Sequence, residues 1–349
     1  MKAFVITKEE SNMLKGIAII LMMIHHFWSS MQPISLKIDV LGGQIPNIEL
    51  IIGAMCKICV SLFAFLTGWV LYLNPKFNSY AYNFKKAKNF IINYWIAELI
   101  FIIVGFIFCL KLPTFSILLA NLFGFETGAY EIMGYDYVNV TFAWYVRFYL
   151  FLLLSFPILL RCLNQASKVR PLLSFIGFML FFGIMCYLCR MSENYFVRKL
   201  LAVYFEWIPC VVVGYYFNRY GWFCFLERVN TKLLSVFFIL YLLICYKFSV
   251  GYNLDWFSAV ILVWLCIKIL QRLRIKILVR LGKASMFIWF IHGLFFLPTK
   301  PLEPLILIKG NTIVLLLLGI LWSIVFSFIV LYLKDVTLKL LSRIKSNIQ

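Results

Sequence analysis

The sequence predicts an all-α integral membrane protein, a polytopic bundle of about ten transmembrane helices with both termini cytoplasmic. Hydrophobic residues make up 64% of the 349 residues and charged residues only 13%, and the mean hydropathy is +0.94. No soluble chain of this length has enough interior to bury so much apolar surface. Apolar runs of membrane-spanning length also recur along the chain, and the basic residues are distributed unevenly between the connecting segments.

Ten apolar segments have a length suited to crossing a bilayer, although the seventh is short. The apolar segment 115–125 is too short to span, so we expect it to lie at the membrane interface or to re-enter it. No long polar stretch separates the segments, so we expect one integral membrane domain over residues 1–349. The predicted spans are 13–31, 48–73, 90–110, 142–163, 172–189, 200–217, 233–246, 254–270, 281–297 and 311–333.

The basic residues predict the orientation of the bundle. With the N-terminus in the cytoplasm, 21 of the 33 Lys and Arg fall in cytoplasmic segments and eight in external ones, as the positive-inside rule requires. The loop 190–199 is an exception, whereas the acidic Glu126, Glu131 and Asp136 fall in a long external loop. The net charge of +19 therefore indicates topology and contact with anionic lipid, and no basic and aromatic run indicates nucleic-acid binding.

The first predicted span contains two of the three histidines of the chain, His25 and His26, together with Lys15. Lys15 and His26 are eleven residues apart, close to three helical turns, so they share one face at a separation of roughly 16 Å. His25 points ~100° away from that face. Ionisable groups in a membrane helix are expensive and indicate function, although a snorkelling lysine and a packed histidine would give the same sequence.

Four short stretches, taken in their order along the sequence, extend over nearly the whole chain. The first is the pair Lys15 and His26, and the others are SLFAFLTGW at 61–69, FAWYVRFY at 142–149 and the LGKAS to HG helix at 281–293. This ordered set resembles the acyltransferase-3 family of polytopic membrane enzymes that O-acylate sugars. Relatives usually have Arg where this chain has Lys15, and often an acidic residue where it has Arg147.

The resemblance implies a membrane O-acyltransferase, most often an O-acetyltransferase, in the cytoplasmic (inner) membrane. The donor would be cytoplasmic acyl-coenzyme A, such as acetyl-CoA. The acceptor would be a hydroxyl of an envelope polysaccharide or of a lipid-linked glycan in the bilayer. Such a transfer needs a base to take the hydroxyl proton, and we expect His26 to act as that base in a direct transfer. A covalent acyl-histidine intermediate remains an alternative.

We expect the polar residues within the predicted spans to converge on one cavity, although separate structural pairs such as Glu98 with Arg147 are the alternative. Arg147, Lys57 or Ser285 could stabilise the developing oxyanion. The predicted catalytic residues are His26, His292 and Arg147. The residues predicted to bind the donor are Lys15, Lys85, Lys86 and Lys88. The residues predicted to bind the acceptor are Lys57, Trp144, Tyr145, Ser285 and Glu206.

The sequence gives weaker support to other functions. The pairs Cys56/Cys59 and Cys186/Cys189 have CxxC spacing, but they lie in apolar helices with no histidine near them, so we expect packing and no metal site. The main competing function is a polytopic transporter or exporter of a glycan or small polar solute, for which repeated halves would be typical, and we find none. A membrane sensor or scaffold would not explain Lys15 and His26 on one stripe.

Overall fold

The structure, a computed structural model, describes residues 4–28, 47–107, 115, 119, 121–124, 144–194, 196–248, 255–273, 275–296 and 312–348. Over this part of the chain 92% of the residues are helical and none lies in a strand, which confirms the predicted all-α class. The acids Glu126, Glu131 and Asp136 and five of the eleven residues of the predicted interfacial segment 115–125 lie outside the described residues.

The helices follow one another with short connections in the described ranges. A 3₁₀ turn, Cys56–Ile58, follows the helix Asn47–Met55, and a π-helical turn, Val197–Leu201, leads into the helix Ala202–Tyr220. The helices are α1 Lys8–Trp28, α2 Asn47–Met55, α3 Cys59–Leu73, α4 Tyr80–Ile107, α5 Trp144–Val169, α6 Pro171–Met191, α7 Ala202–Tyr220, α8 Phe223–Leu226, α9 Thr231–Phe248, α10 Asp255–Leu273, α11 Lys276–Ile291, α12 Gly293–Phe296 and α13 Thr312–Ile348.

Five segments of the described chain are both long and apolar enough to cross a membrane, and they establish a multi-pass membrane protein. Each of the ten predicted spans overlaps helical segments in the described part of the chain, but the count of ten and the cytoplasmic location of both termini stay predictions. The five segments are Ile48–Leu73, Tyr80–Ile107, Trp144–Ala166, Pro171–Met191 and Thr312–Leu340.

Several helices extend beyond the predicted spans, because a hydropathy pattern detects the part of a helix suited to lipid and not its polar ends. Helix α4 begins ten residues before its predicted span, in a turn rich in lysine, and α13 continues well past 333. Helix α1 begins at Lys8 because Thr7 and Glu10 form a capping box. The Thr7 hydroxyl accepts from the Glu10 amide at 3.2 Å, and the Thr7 amide donates to the Glu10 carboxylate at 2.8 Å.

Helices α1 and α11 pack with their backbones in direct contact. A Cβ at Gly16 would clash with the carbonyl oxygen of Leu278, and a Cβ at Gly282 would clash with that of Asn12. Small residues at a membrane helix interface allow this close approach. Gly16 meets Leu278 near the beginning of both helices and His26 meets His292 at their C-terminal ends, so α1 and α11 run parallel and bring two distant histidines together.

Helices α3 and α7 pack in the same way. A Cβ at Gly68 would clash with the carbonyl oxygen of Val211, and one at Gly214 would clash with that of Phe65. Large buried side chains, including Trp69, fill the space on either side. Asn218 donates to the carbonyl of Trp69 at 2.8 Å and ties the C-terminal ends of the two helices together.

Candidate active site

A cavity of about 220 Å³ lies among five helices of the bundle. Helix α1 lines it with Lys15, Met22 and His26, which recur at intervals of seven and four residues and so form one stripe. Helices α3, α4, α5 and α11 supply the other walls, which are mostly apolar or aromatic. The remaining lining residues are Cys59, Val60, Phe63, Thr67, Phe90, Trp144, Tyr145, Tyr149, Ser285, Met286 and Trp289.

Lys15, at one end of this cavity, has a second cation as its neighbour. Lys15 lines the cavity and interacts electrostatically with Lys86, which lies at the N-terminal part of α4. The ammonium of Lys86 lies 5.0 Å from the ring centroid of Phe77 and 5.4 Å from that of Tyr82, so aromatic faces hold it in place. Lys86 does not itself line the cavity, but it lies close enough to Lys15 for the two cations together to suit an anion such as a phosphate.

The histidine end is built on a side-chain hydrogen bond between residues 266 positions apart. His26 Nδ1 lies 2.7 Å from His292 Nε2, and the two rings lie edge to edge and nearly parallel, with centroids 4.9 Å apart and an interplanar angle of 14°. His292 Nδ1 is hydrogen-bonded to the carbonyl oxygen of Trp289, one turn earlier on α11. His292 is fully buried.

This chain of hydrogen bonds fixes the proton on each ring. A carbonyl oxygen can only accept, so His292 Nδ1 carries the hydrogen that bonds to Trp289. The Nε2 of a neutral His292 is then an acceptor, and His26 Nδ1 must carry the hydrogen between the two rings. The Nε2 of His26 therefore keeps its lone pair, and it belongs to a residue that lines the cavity. Such a nitrogen is suited to accept a proton from a ligand.

The neighbouring His25 has a different environment. Its Nδ1 donates to the carbonyl oxygen of Gly53 at 2.9 Å, and His25 does not line the cavity among the described residues. Gly53 precedes the 3₁₀ turn at Cys56–Ile58, where the backbone bonds shorten from i→i+4 to i→i+3. That change takes the helical donor away from the Gly53 carbonyl, and His25 supplies a replacement. His25 thus stabilises the break between α2 and α3.

Aromatic rings from α5 and α11 surround the histidine end of the cavity. Tyr145 packs edge-on against Trp289 with centroids 5.1 Å apart, and it contacts Trp144 at 5.7 Å. Trp144 in turn stacks on Trp207 of α7 at 6.1 Å. These amphipathic rings present flat apolar faces and polar edges to whatever enters beside His26. The predicted acceptor residues Trp144 and Tyr145 therefore lie in the same cavity as His26.

Small polar groups lie along the cavity between the lysine and the histidine. Ser285 and Thr67 contribute hydroxyls, and Cys59 contributes a thiol that donates to the carbonyl of Lys57 at 3.6 Å. Sequence reasoning assigned Ser285 to the site but interpreted Cys59 only as apolar packing. It also missed Trp289, although a residue one helical turn before a histidine is the natural acceptor for that ring.

The other predicted site residues do not line this cavity within the described structure. Arg147 is buried on α5, and Lys57 lies with its ammonium 5.9 Å from the centroid of Trp207. Glu206 forms an ion pair with Arg190 at 2.8 Å and borders a second cavity. Exposed Lys85 and Lys88 belong to other faces of α4 than Lys86. Among the described residues these charged groups therefore do not share the cavity of His26: Glu206 borders a second cavity, and Arg147 and Lys57 line neither of the two.

No curated protein and no solved structure was found to match the chain. A family profile described as an acyltransferase domain matches residues 9–332, from the start of α1 into α13. The match includes every helix that lines the cavity. Since this match extends over nearly the whole chain, the protein belongs to the acyltransferase-3 family and is a membrane acyltransferase.

Proposed function

We propose that this protein transfers an acyl group from cytoplasmic acyl-CoA to a hydroxyl of an envelope polysaccharide or lipid-linked glycan, with His26 as the general base. The observation that supports this proposal is that Lys15 and His26 line one cavity, with His26 held by His292. The cavity joins a cationic end to a basic nitrogen along one stripe of α1. This arrangement matches the two ends of a thioester donor, an anionic nucleotide and a reactive carbonyl.

The donor would enter from the cytoplasmic end of α1. The volume of about 220 Å³ lies below the ~300–1,000 Å³ of most small-molecule pockets, so it suits the thin pantetheine arm and not the whole coenzyme. The nucleotide would stay at the mouth, where Lys15 and Lys86 bind its phosphates. The apolar walls and the hydroxyls of Thr67 and Ser285 would contact the arm and its amides.

The acceptor would approach from the aromatic end. A sugar ring can lay its C–H face on Trp144, Tyr145 or Trp289 and present a hydroxyl to His26 Nε2. His26 takes the hydroxyl proton while the sugar oxygen attacks the thioester carbonyl. The tetrahedral intermediate then collapses, the C–S bond breaks, and protonated His26 returns the proton to the leaving sulfur of coenzyme A.

His292 would hold His26 in the tautomer that this mechanism needs. With Nδ1 of His26 already donating to His292, only Nε2 can accept the substrate proton. The same hydrogen bond stabilises the imidazolium that forms during the transfer. Among the three predicted oxyanion donors, Ser285 is the one that lines the cavity, so we assign the oxyanion to its hydroxyl. Arg147 and Lys57 have no part in this mechanism.

The proposal is tested by following the acyl group. Purified protein in lipid nanodiscs receives carbon-labelled acetyl-CoA and an extract of envelope glycans, and both free thiol and label in the glycan fraction are measured. We expect thiol release that depends on the glycan, with an equal amount of label as alkali-labile ester. Propionyl-CoA and butyryl-CoA in parallel assays define the acyl group.

An exporter would give a different result. It would move labelled glycan across sealed vesicles while leaving acetyl-CoA intact. That outcome, or thiol release that is equal in the wild type and in His26→Ala, would refute the proposed reaction. The His26→Ala protein is therefore the blank for every measurement.

A further inference from the structure

A second cavity, of about 500 Å³, lies between α6, α7 and the beginning of α10. Helix α6 lines it with a stripe at helical spacing that includes Met179, Gly183, Tyr187 and Arg190. Trp256 closes it from α10. None of the described residues of this cavity lines the one that contains His26. The transfer reaction leaves this second cavity without a role.

The polarity of the second cavity changes along its length. Met179 lies eleven residues before Arg190, or roughly 16 Å deeper along the α6 axis. The deep part is apolar, with Met179, Gly183 and Pro209 among its walls, whereas Arg190 and Glu206 form an ion pair at the other part. The Glu206 side chain is only 9% exposed, whereas that of Arg190 is 44% exposed. A ligand that fits this gradient is an amphiphile with one apolar chain and a polar head.

The position of α6 gives such a ligand a route from the bilayer. Helix α6 lies at the edge of the bundle, where Leu180, Ile184 and Leu188 are each more than half exposed on its outer surface. At Gly183 a Cβ would meet no atom within 4 Å, so the absence of a side chain there keeps the cavity open. A lipid tail could therefore enter from the side without crossing water.

The polar end of this cavity adjoins the aromatic wall of the candidate active site. Glu206 interacts electrostatically with Lys57, whose ammonium lies 5.9 Å from the ring centroid of Trp207. Trp207 stacks on Trp144 at 6.1 Å, and Trp144 lines the His26 cavity. A head group at Arg190 would thus be separated from the transfer site by two stacked rings.

We propose that the second cavity binds the carrier lipid of a lipid-linked glycan, with the chain along Met179 and Gly183 and the phosphate at Arg190. A guanidinium has five N–H donors, more than the bonds to Glu206 and Cys186 use, so Arg190 can bind these two residues and a phosphate together. The glycan would then extend from the phosphate past Trp144 to His26. The choice of a glycan carrier rests on the proposed function, because the transfer needs an acceptor on this side of His26.

The test uses a photoreactive polyprenyl phosphate that carries one glucose unit, with the full-length protein in phosphatidylethanolamine nanodiscs. Gly183→Leu fills the apolar part of the cavity. The matched control is Gly177→Leu, which lies on the same helix, also meets no atom within 4 Å and does not line the cavity. Leucine is a better helix former than glycine at both positions, so both variants are expected to fold.

We expect cross-links that map to α6 and α7 in the wild type and in Gly177→Leu, and at least about tenfold less labelling in Gly183→Leu, equivalent to ~1.4 kcal/mol. Arg190→Gln is expected to reduce labelling as well. An excess of the untagged carrier lipid should compete, whereas the same excess of phosphatidylglycerol should not. The proposal is overturned if Gly183→Leu labels like the wild type, if the cross-links map elsewhere, or if phosphatidylglycerol competes equally.

Labelling requires neither acyl-CoA nor turnover, so the two proposals fail separately. A protein that binds the probe in this cavity but never consumes acyl-CoA would refute only the proposed reaction. A protein that acylates a glycan but shows no labelling of this cavity would refute only the carrier-lipid site.

Discussion

The helix pairs α1–α11 and α3–α7 both pack through glycines, but the side chains that meet at the two contacts differ. In each pair two glycines, one on each helix, let the backbone of one helix approach the other so closely that a methyl group would clash with a carbonyl oxygen. Beyond the glycines, α1–α11 joins His26 to His292, whereas α3–α7 joins Asn218 to the carbonyl of Trp69. Only the first pair places a basic nitrogen beside a cavity.

The difference shows that close packing alone does not indicate a site. At α3–α7 the glycines are flanked by buried apolar side chains, and none of the three histidines lies at this contact. At α1–α11 the same close approach brings His26 Nδ1 within 2.7 Å of His292 Nε2. A small displacement of α11 would therefore break the histidine pair, while an equal displacement of α7 would leave it intact.

The largest expected effect is at His26. His26→Ala should reduce turnover per folded molecule by about 10²–10⁴, the usual contribution of a general base. Binding of acyl-CoA should change little. The matched control is His25→Ala, which removes the hydrogen bond to the Gly53 carbonyl and should cost about 1 kcal/mol of stability while sparing turnover.

Turnover normalised to folded protein, from size-exclusion chromatography in detergent, separates the two variants. If His25→Ala abolished turnover and His26→Ala spared it, the base would lie on the other face of α1. If both variants lost folded protein in parallel, the histidines would serve only packing.

The next effect concerns the opposite end of α1. Lys15→Ala should weaken acyl-CoA binding by about 1.5–3 kcal/mol, the range for a charge-assisted hydrogen bond, and Lys15→Arg should preserve or improve binding. Lys88→Ala, which removes an exposed lysine from another face of α4, is the control and should have a small effect. Titration calorimetry with acetyl-CoA measures the affinity. Unchanged affinity in Lys15→Ala would leave this residue a snorkelling lysine.

A smaller effect is expected at His292, which positions His26. His292→Ala should lower turnover by about 10–100-fold, the range seen when a residue that orients a histidine is removed. His292→Gln should recover part of the loss, because a side-chain amide oxygen can accept from His26 Nδ1. The pH profile of turnover should shift in His292→Ala, since the tautomer of His26 is no longer fixed. An unshifted profile with lower yield of folded protein would indicate a purely structural role.

The last prediction tests the two helix pairs directly. Gly68→Ala and Gly282→Ala should each destabilise the protein by about 1–3 kcal/mol, because the added methyl forces the helices apart. Gly177→Ala, where nothing lies within 4 Å, should not destabilise it. Among folded molecules, we expect Gly282→Ala to lose turnover and Gly68→Ala to keep it. Thermal unfolding in detergent and normalised turnover provide both measurements, and equal turnover in the two variants would contradict the comparison.

The second cavity shows that the structure separates residues which the sequence analysis grouped together. Lys57, Glu206 and Arg147 were placed with the histidines because each is a charge within an apolar segment. The structure places Glu206 with Arg190, which the sequence had counted among external loop residues. A charge in a membrane helix predicts that a polar partner exists, but its position along the chain does not identify the partner.

The sequence by itself determined the helical class, the family and the stripe that joins Lys15 to His26. These features depend on composition and on the 3.6-residue period of a single helix, which a local pattern records completely. The tertiary structure alone decided that His26 bonds to His292 and not to a residue nearer in the chain, and that Ser285 faces the cavity while Arg147 does not. Those choices depend on how far and at which angle two helices approach. Here that approach follows from Gly16 fitting against the carbonyl of Leu278 and Gly282 fitting against that of Asn12. Neither helix specifies this match between surfaces alone.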